Sequence, residues 1–259
     1  MQTARCSRLT LRVVKGFTQI NFVSAFVVKW QESSGSVNVY MKVGPPCPHM
    51  VELYMARTCR WGVLRVIGGD LHLQKGDAVI TPANNRLSGR EGIDALIHKA
   101  AGEDLRLRCR EISSDQRQFN LPPCPVTTNI VTVPFGLSER FKHIIHVVSP
   151  DCRRPNQDES RRILLPETYA NLFETLKNMD DVSEIIAPPL SMGIFAYPHR
   201  EGARLTLETI LGVLDGEEDP KIKKYTIIVK EKNFIKNMRT VYRESEDQLP
   251  GVDTTDNDD

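Results

Sequence analysis

The stretch from Val66 to Gly102, VIGGDLHLQKGDAVITPANNRLSGREGIDALIHKAAG, decides how the chain folds. A β-rich apolar run over residues 61–67 ends at Gly68-Gly69-Asp70, the pattern of a strand followed by a turn. Residues 77–81 (DAVIT) are short, continuous and apolar, as a buried parallel strand requires, and Pro82 closes them. A polar loop holding Gly89 and Gly92 then opens directly into a helix, because Ile93, Leu96, Ile97 and Ala100 recur at helical spacing. A loop that ends in a helix N-terminus presents backbone N–H groups without intrahelical partners and a partial positive charge, a combination suited to phosphate.

Outward from this stretch the pattern repeats. Strands are predicted at 129–133, 143–148, 184–187 and 225–229, and helices at 103–111, 166–179, 203–214 and 233–242. Upstream, 35–43 alternates apolar and polar like a half-buried strand, three prolines (Pro45, Pro46, Pro48) interrupt the chain, and 51–60 reads as a short helix. Strands alternating with helices give an α/β fold with a mixed, largely parallel sheet covered on both faces. A second loop, 188–198 (PPLSMGIFAYP), leaves a strand and enters a helix as the first one does. Ligands of such sheets lie beyond the carboxyl ends of the strands, so two phosphate-suited loops at that edge imply a ligand with more than one phosphate. The G-x-G-x-x-G and P-loop patterns are absent.

Composition bounds the rest. The 259 residues are 40% hydrophobic and 26% charged with a net charge of +1, ordinary for a globular protein and no global signal for nucleic acid or an anionic membrane. No apolar run approaches the roughly 18 residues of a membrane span. Six scattered cysteines without a C-x-x-C pair fit thiols in a reducing compartment. Residues 1–31 lack Asp and Glu but carry Arg5, Arg8, Arg12, Lys15 and Lys29. That is the composition of a mitochondrial transit peptide; the alternative is a basic N-terminal arm, or a strand such as Phe22–Val28 with chance charge. The expected location is intracellular: mitochondrial if this segment is a targeting signal, otherwise cytoplasmic or nuclear. Residues 244–259 are acidic and nearly free of apolar side chains, which predicts a disordered tail.

Three separated motifs resemble the macro domain family in its MacroD-type branch. Gly69-Asp70-Leu71-His72, DAVITPAN (77–84), NRLSGREGID (85–94) and ALIHKAAG (95–102) follow its signature without gaps. HIIHVVSP (143–150) resembles its I-H-x-V-G-P strand, and IIAPPLSMGIFAYP (185–198) its P-x-I-S-T-G-x-x-G-Y-P loop. The resemblance covers about residues 61–243, leaving 32–60 as an extension expected to pack on the domain. It implies a three-layer α/β/α fold and a cleft for ADP-ribose. It further implies a hydrolase that removes mono-ADP-ribose from acidic protein side chains and deacetylates O-acetyl-ADP-ribose. A non-catalytic reader of ADP-ribose is the alternative, and the expected partners are these ligands and mono-ADP-ribosylated proteins, with no membrane or specific nucleic acid. A monomer is expected.

The resemblance also assigns roles. The Asp70 carboxylate and Leu71 N–H face the adenine, and Ala83 lies in the binding segment. The Asn84 amide meets the hydroxyls of the distal ribose, and Asp94 orients a catalytic water, making Asn84 and Asp94 the catalytic candidates. Gly89, Gly92, Ile93, Ser191, Met192, Gly193, Ile194 and Phe195 line the diphosphate and distal ribose, largely through backbone N–H groups. The bland readings are a turn Asn for Asn84, a helix-capping Asp for Asp94 and core packing for Phe195 and Tyr197. His98 and His146 read as structural, and no His/Cys/Asp group has zinc spacing, so no metal or cofactor is expected. The chain departs from the family at Thr81, Pro82, Arg90 and Glu91, where an Asn, an Ala and two glycines are usual. Arg90 and Glu91 would be strained if their backbone needed positive φ. An unperturbed Asp, with a pKa of about 3.9, is a weak base at neutral pH, so the ligand's own phosphate is expected to help hold or activate the water at Asp94.

Overall fold

The computed structural model describes residues 53–117, 121–153 and 163–244, together with four two-residue strands between positions 28 and 41. Those four pair among themselves, Val28–Lys29 with Tyr40–Met41 and Glu32–Ser33 with Ser36–Val37, within a unit (1–49) separate from the rest. The expected transit segment, apart from one of these short strands, and the acidic tail beyond Glu244 lie outside the described residues.

The main unit is a seven-stranded sheet. In chain order its strands are β1 (Leu53–Thr58), β2 (Val63–Gly68), β3 (Ala78–Pro82), β4 (Asn129–Thr132), β5 (His143–Val147), β6 (Glu184–Ala187) and β7 (Lys224–Val229). Their spatial order is β1-β2-β7-β6-β3-β5-β4. The five inner strands are parallel; β1 and β4 run antiparallel at the two edges. The helices are α1 (Gly92–Ala101), α2 (Glu103–Arg117), α3 (Leu164–Lys177), α4 (His199–Leu214) and α5 (Lys232–Glu244).

The layering follows from strand periodicity. Successive side chains point to opposite faces, so an inner strand covered on both faces must be apolar over most of its length. Along β3, Ala78 and Ile80 join the core under α3, α4 and α5, while Val79 joins the core under α1 and α2. In β6, Ile185 and Ala187 face one way and Ile186 the other. Two apolar cores on one sheet make the three-layer α/β/α arrangement.

Two corrections arise at the start of this unit. Residues 53–58 form an edge strand rather than a helix, pairing antiparallel with β2 from Thr58↔Val63 to Leu53↔Ile67. Their burial alternates, with Met55 and Arg57 inward, and tertiary pairing decides over the helical spacing of a short segment. The sheet thus begins inside the segment read as an extension. Upstream, 35–43 is not one strand: it contains two two-residue strands, Ser36–Val37 and Tyr40–Met41, each paired with a different segment. The other predicted elements of the main unit are present, although α2 runs on to Arg117 and α4 starts at His199 rather than 203. Among the described cysteines, Cys59, Cys109 and Cys124 are buried reduced thiols.

Candidate active site

The parallel strands aim their carboxyl ends at one edge, and there the two loops meet. Loop 83–91 joins β3 to α1, and loop 188–198 joins β6 to α4. Between them lies a cavity of about 420 Å³ bordered by Asn84, Gly92, Asp94, Ser191, Gly193 and Phe195. A second hollow of about 190 Å³ continues from it toward β2 and β7, bordered by Asp70, Leu71, Met192, Lys230 and Phe234. Ile93, Pro189, Gly193 and Glu231 border both, so the two form one elongated cleft across the strand ends.

The first loop reaches its shape through glycine. Gly89 and Gly92 have φ of 57° and 58°, the left-handed region. A Cβ on Gly89 would stand 2.2 Å from His98 Cγ, so the loop can lie on α1 only without a side chain there. Neither Arg90 nor Glu91 has a positive φ, and Glu91 is extended at −132°. The two departures from the family's glycine run therefore carry no backbone strain. Glu91 is the N-cap of α1 but makes no side-chain capping bond, which leaves the first N–H groups of the helix, Gly92, Ile93 and Asp94, without intrahelical partners.

The second loop holds a tight non-glycine geometry: Ser191 and Ala196 have φ of 62° and 52°. Its bonds over-determine it. The Ser191 hydroxyl donates to Pro150 O (2.9 Å), Tyr197 N–H to Ser191 O (2.9 Å) and Cys152 N–H to Phe195 O (2.7 Å). Gly202 of α4 allows Met192 to pack close, since a Cβ there would meet Met192 Sδ at 2.3 Å. Tyr197 is core; Phe195 borders the cleft with the Arg153 guanidinium 5.6 Å from its ring centre.

Asp94 is 3% exposed, yet it borders the cleft. Burial raises its pKa to about 6, against the lowering effect of hydrogen bonds from the Thr81 hydroxyl and the Gly89 N–H. Thr81 Oγ1 donates to Asp94 Oδ1 at 2.8 Å. His98 Nε2 lies 3.7 Å from the same oxygen, but burial lowers the pKa of His98, so the imidazole is neutral and adds no ion pair near pH 7. The expectation of an unperturbed carboxylate is corrected: desolvation by the surrounding core makes Asp94 a stronger base.

The other predicted residues divide. Asp70 and Leu71 border the far end of the cleft, and Asp70 is ion-paired with Lys230. Asn84 borders the near end, but its side chain is engaged locally: Nδ2 donates to Ser88 Oγ (2.6 Å) and Oδ1 accepts from Arg86 N–H and Ser88 N–H. Ala83 is fully buried in the core under α1, and Gly89 lies behind the loop against His98 rather than on the cleft. Sequence reading missed Arg153, Glu231 and Phe234. The last two follow the carboxyl end of β7, where the strand-end rule could have placed them; Arg153 had no local signal.

His98, Cys109 and His146 lie far apart in the sequence with no metal-site spacing. The fold brings their ligating atoms within 4.8 Å of one another, all buried. Among the described residues both ring nitrogens of His98 and Nδ1 of His146 lack hydrogen-bond partners, and both imidazoles are held neutral by burial, His146 with a pKa of about 3. These are the donor types of a metal site, but tetrahedral zinc needs ligand atoms only about 3.5 Å apart.

This architecture and cleft have relatives. A Macro domain family model matches residues 80–206. A protein of Salmonella typhimurium named O-acetyl-ADP-ribose deacetylase is 32% identical over 147 residues, covering 57% of this chain and 76% of the relative. The chain belongs to the macro domain family. Another protein with that name, from Cronobacter sakazakii, is 29% identical over 191 residues, covering 74% of this chain and 99% of its own. Among solved structures, the Oceanobacillus iheyensis macrodomain with ADP superposes with a TM-score of 0.68 at 24% identity, covering 77% of this chain and 100% of that one. A Trypanosoma brucei macrodomain in complex with ADP-ribose superposes with a TM-score of 0.56 at 21% identity, covering 69% and 68%. In this macro domain Thr81 bonds Asp94, and the charged pair Arg90-Glu91 immediately precedes the helix.

Proposed function

We propose that this macro domain binds ADP-ribose along the cleft and hydrolyses esters at its distal ribose, both O-acetyl-ADP-ribose and mono-ADP-ribosylated Asp or Glu side chains. The observation that carries this reading is Asp94, a buried carboxylate with a pKa raised to about 6 that borders the cleft beside a helix N-terminus. In this reading adenine lies near Asp70, Leu71 and Phe234, the diphosphate against the start of α1 and the loop at Gly193, and the distal ribose between Asn84 and Phe195.

Backbone N–H groups at the start of α1 offset part of the diphosphate's negative charge. Asp94, ionised near pH 7, accepts a proton from a water as that water attacks the ester. Hydroxide adds to the attacked carbon, the ester C–O bond breaks, and the proton held by Asp94 passes to the departing oxygen. ADP-ribose and the carboxylic acid result, and Asp94 is regenerated. A pKa near the working pH serves both halves of this transfer better than an unperturbed carboxylate.

The reader alternative draws support from Asn84, whose amide is occupied by Ser88 and loop N–H groups. A single experiment separates the two: incubate the protein with O-acetyl-ADP-ribose and with a Glu-linked mono-ADP-ribosylated protein, and follow acetate and ADP-ribose release. Binding of ADP-ribose without release from either substrate would leave a reader.

A further inference from the structure

A larger cavity, about 950 Å³, lies on the other side of the first loop between that loop, α1 and α2. Its rim carries five cationic side chains: Arg86, Arg90, Lys99, Arg106 and Arg110. Among the described residues that border it there is no Asp or Glu, and no Phe, Tyr or Trp. The whole chain is nearly neutral at +1, so this positive charge is a local concentration, and a concave wall focuses its field. Arg86, Arg90 and Lys99 make no side-chain ion pair among the described residues. Arg106 and Arg110 both reach Glu103 at 3.4 Å, exposed contacts that a better anion displaces at little cost.

Asn84 borders this cavity and the cleft alike. We infer that the basic cavity receives the acidic segment flanking the modified residue of an ADP-ribosylated protein. This rests on the proposed function, which puts the distal ribose at Asn84; whatever is esterified to that ribose leaves the cleft at the point where the cavity begins. The guanidinium forks match carboxylates in pairs. The absence of an aromatic wall argues for a peptide over single-stranded nucleic acid, whose bases need stacking surfaces.

The test uses ADP-ribosyl peptides joined through a non-hydrolysable linkage, with acidic or neutral flanks of equal length. Affinity is measured for the full chain and for Arg86→Gln/Arg106→Gln/Arg110→Gln, with free ADP-ribose as reference. The expected result is about tenfold tighter binding of the acidic conjugate at about 50 mM salt, falling toward equality near 500 mM. The triple variant loses that preference and keeps its affinity for free ADP-ribose. If the triple variant does not fold, Lys99→Glu, a single exposed change, carries the same comparison. Equal affinity for both flanks, a preference that survives the substitutions, or tighter binding of an oligonucleotide-linked ADP-ribose overturns the inference. Failure of free ADP-ribose to bind instead sinks the proposed function, and the unmodified acidic peptide then decides for the cavity alone.

Discussion

The hydroxyl of Thr81, at the end of β3, donates to Asp94 in the first turn of α1 across 2.8 Å, with both side chains buried. This bond favours the ionised carboxylate against the desolvation that opposes it. Thr81→Val removes the bond and keeps the shape. The expected outcome is a further rise of the Asp94 pKa by about one unit, read as an alkaline shift in the midpoint of the pH–rate profile.

For the native protein the same logic fixes the direction of pH dependence. Asp94 acts ionised, so the rate of O-acetyl-ADP-ribose hydrolysis should rise with pH to a midpoint near the pKa of about 6 and then level off. A profile flat from pH 5 to 8 (about the range that brackets that midpoint) would mean that Asp94 is not the base.

Asp94→Asn should abolish turnover while leaving ADP-ribose affinity within a few-fold. It should also stabilise the fold at neutral pH. A carboxylate whose pKa is raised in the folded state contributes its stability below the unfolded value and loses it as pH rises through about 6. At pH 8 the charged Asp94 therefore costs about 1–3 kcal/mol, and the variant should melt a few degrees higher. Near pH 4 the difference should vanish. Thermal melts at the two pH values check it.

Two glycines should respond in opposite ways. Gly89→Ala combines a φ of 57° with a Cβ 2.2 Å from the His98 ring, and is expected to cost about 3 kcal/mol or more. Gly212→Ala, on an exposed turn of α4 with open space around the new methyl, should stabilise by about 0.5 kcal/mol. Chemical denaturation of both variants gives the comparison.

At the adenine end, Asp70 is paired with Lys230 before any ligand arrives. Asp70→Ala should weaken ADP-ribose binding about tenfold, as expected for a hydrogen bond to a charged acceptor. Lys230→Ala removes a competitor for the same carboxylate and should leave affinity equal or improved. Calorimetry on the two variants distinguishes a ligand-binding Asp70 from one that only braces the strand ends.

Much of the sheet was legible because inner parallel strands must be apolar on both faces, and runs such as 78–82 and 184–187 can be little else. The edge strand at 53–58 was misread because its half-buried pattern over six residues is compatible with either element until a neighbour is supplied. At the cleft, the two loops could be placed from their position between strand and helix, and Asp70, Gly92, Asp94 and residues 191–195 from the family resemblance. The raised pKa of Asp94 could not, since it depends on a core assembled from distant segments. Nor could the meeting of His98, Cys109 and His146, which come from a helix, its successor and a strand far apart in sequence. Arg90 and Glu91 posed a question about backbone strain that only the dihedral angles answer.

The buried cysteines of this macro domain have a practical consequence. Burial pushes the Cys59 thiol up to about 11 and the Cys109 thiol up to about 12, and raises that of Cys124. Reaction with alkylating reagents requires the thiolate, so these three positions stay silent to iodoacetamide while the sheet is closed. Each samples a different part of the architecture, and their labelling rates would therefore time the opening of the β1 edge, of α2 and of the turn at residue 124 separately.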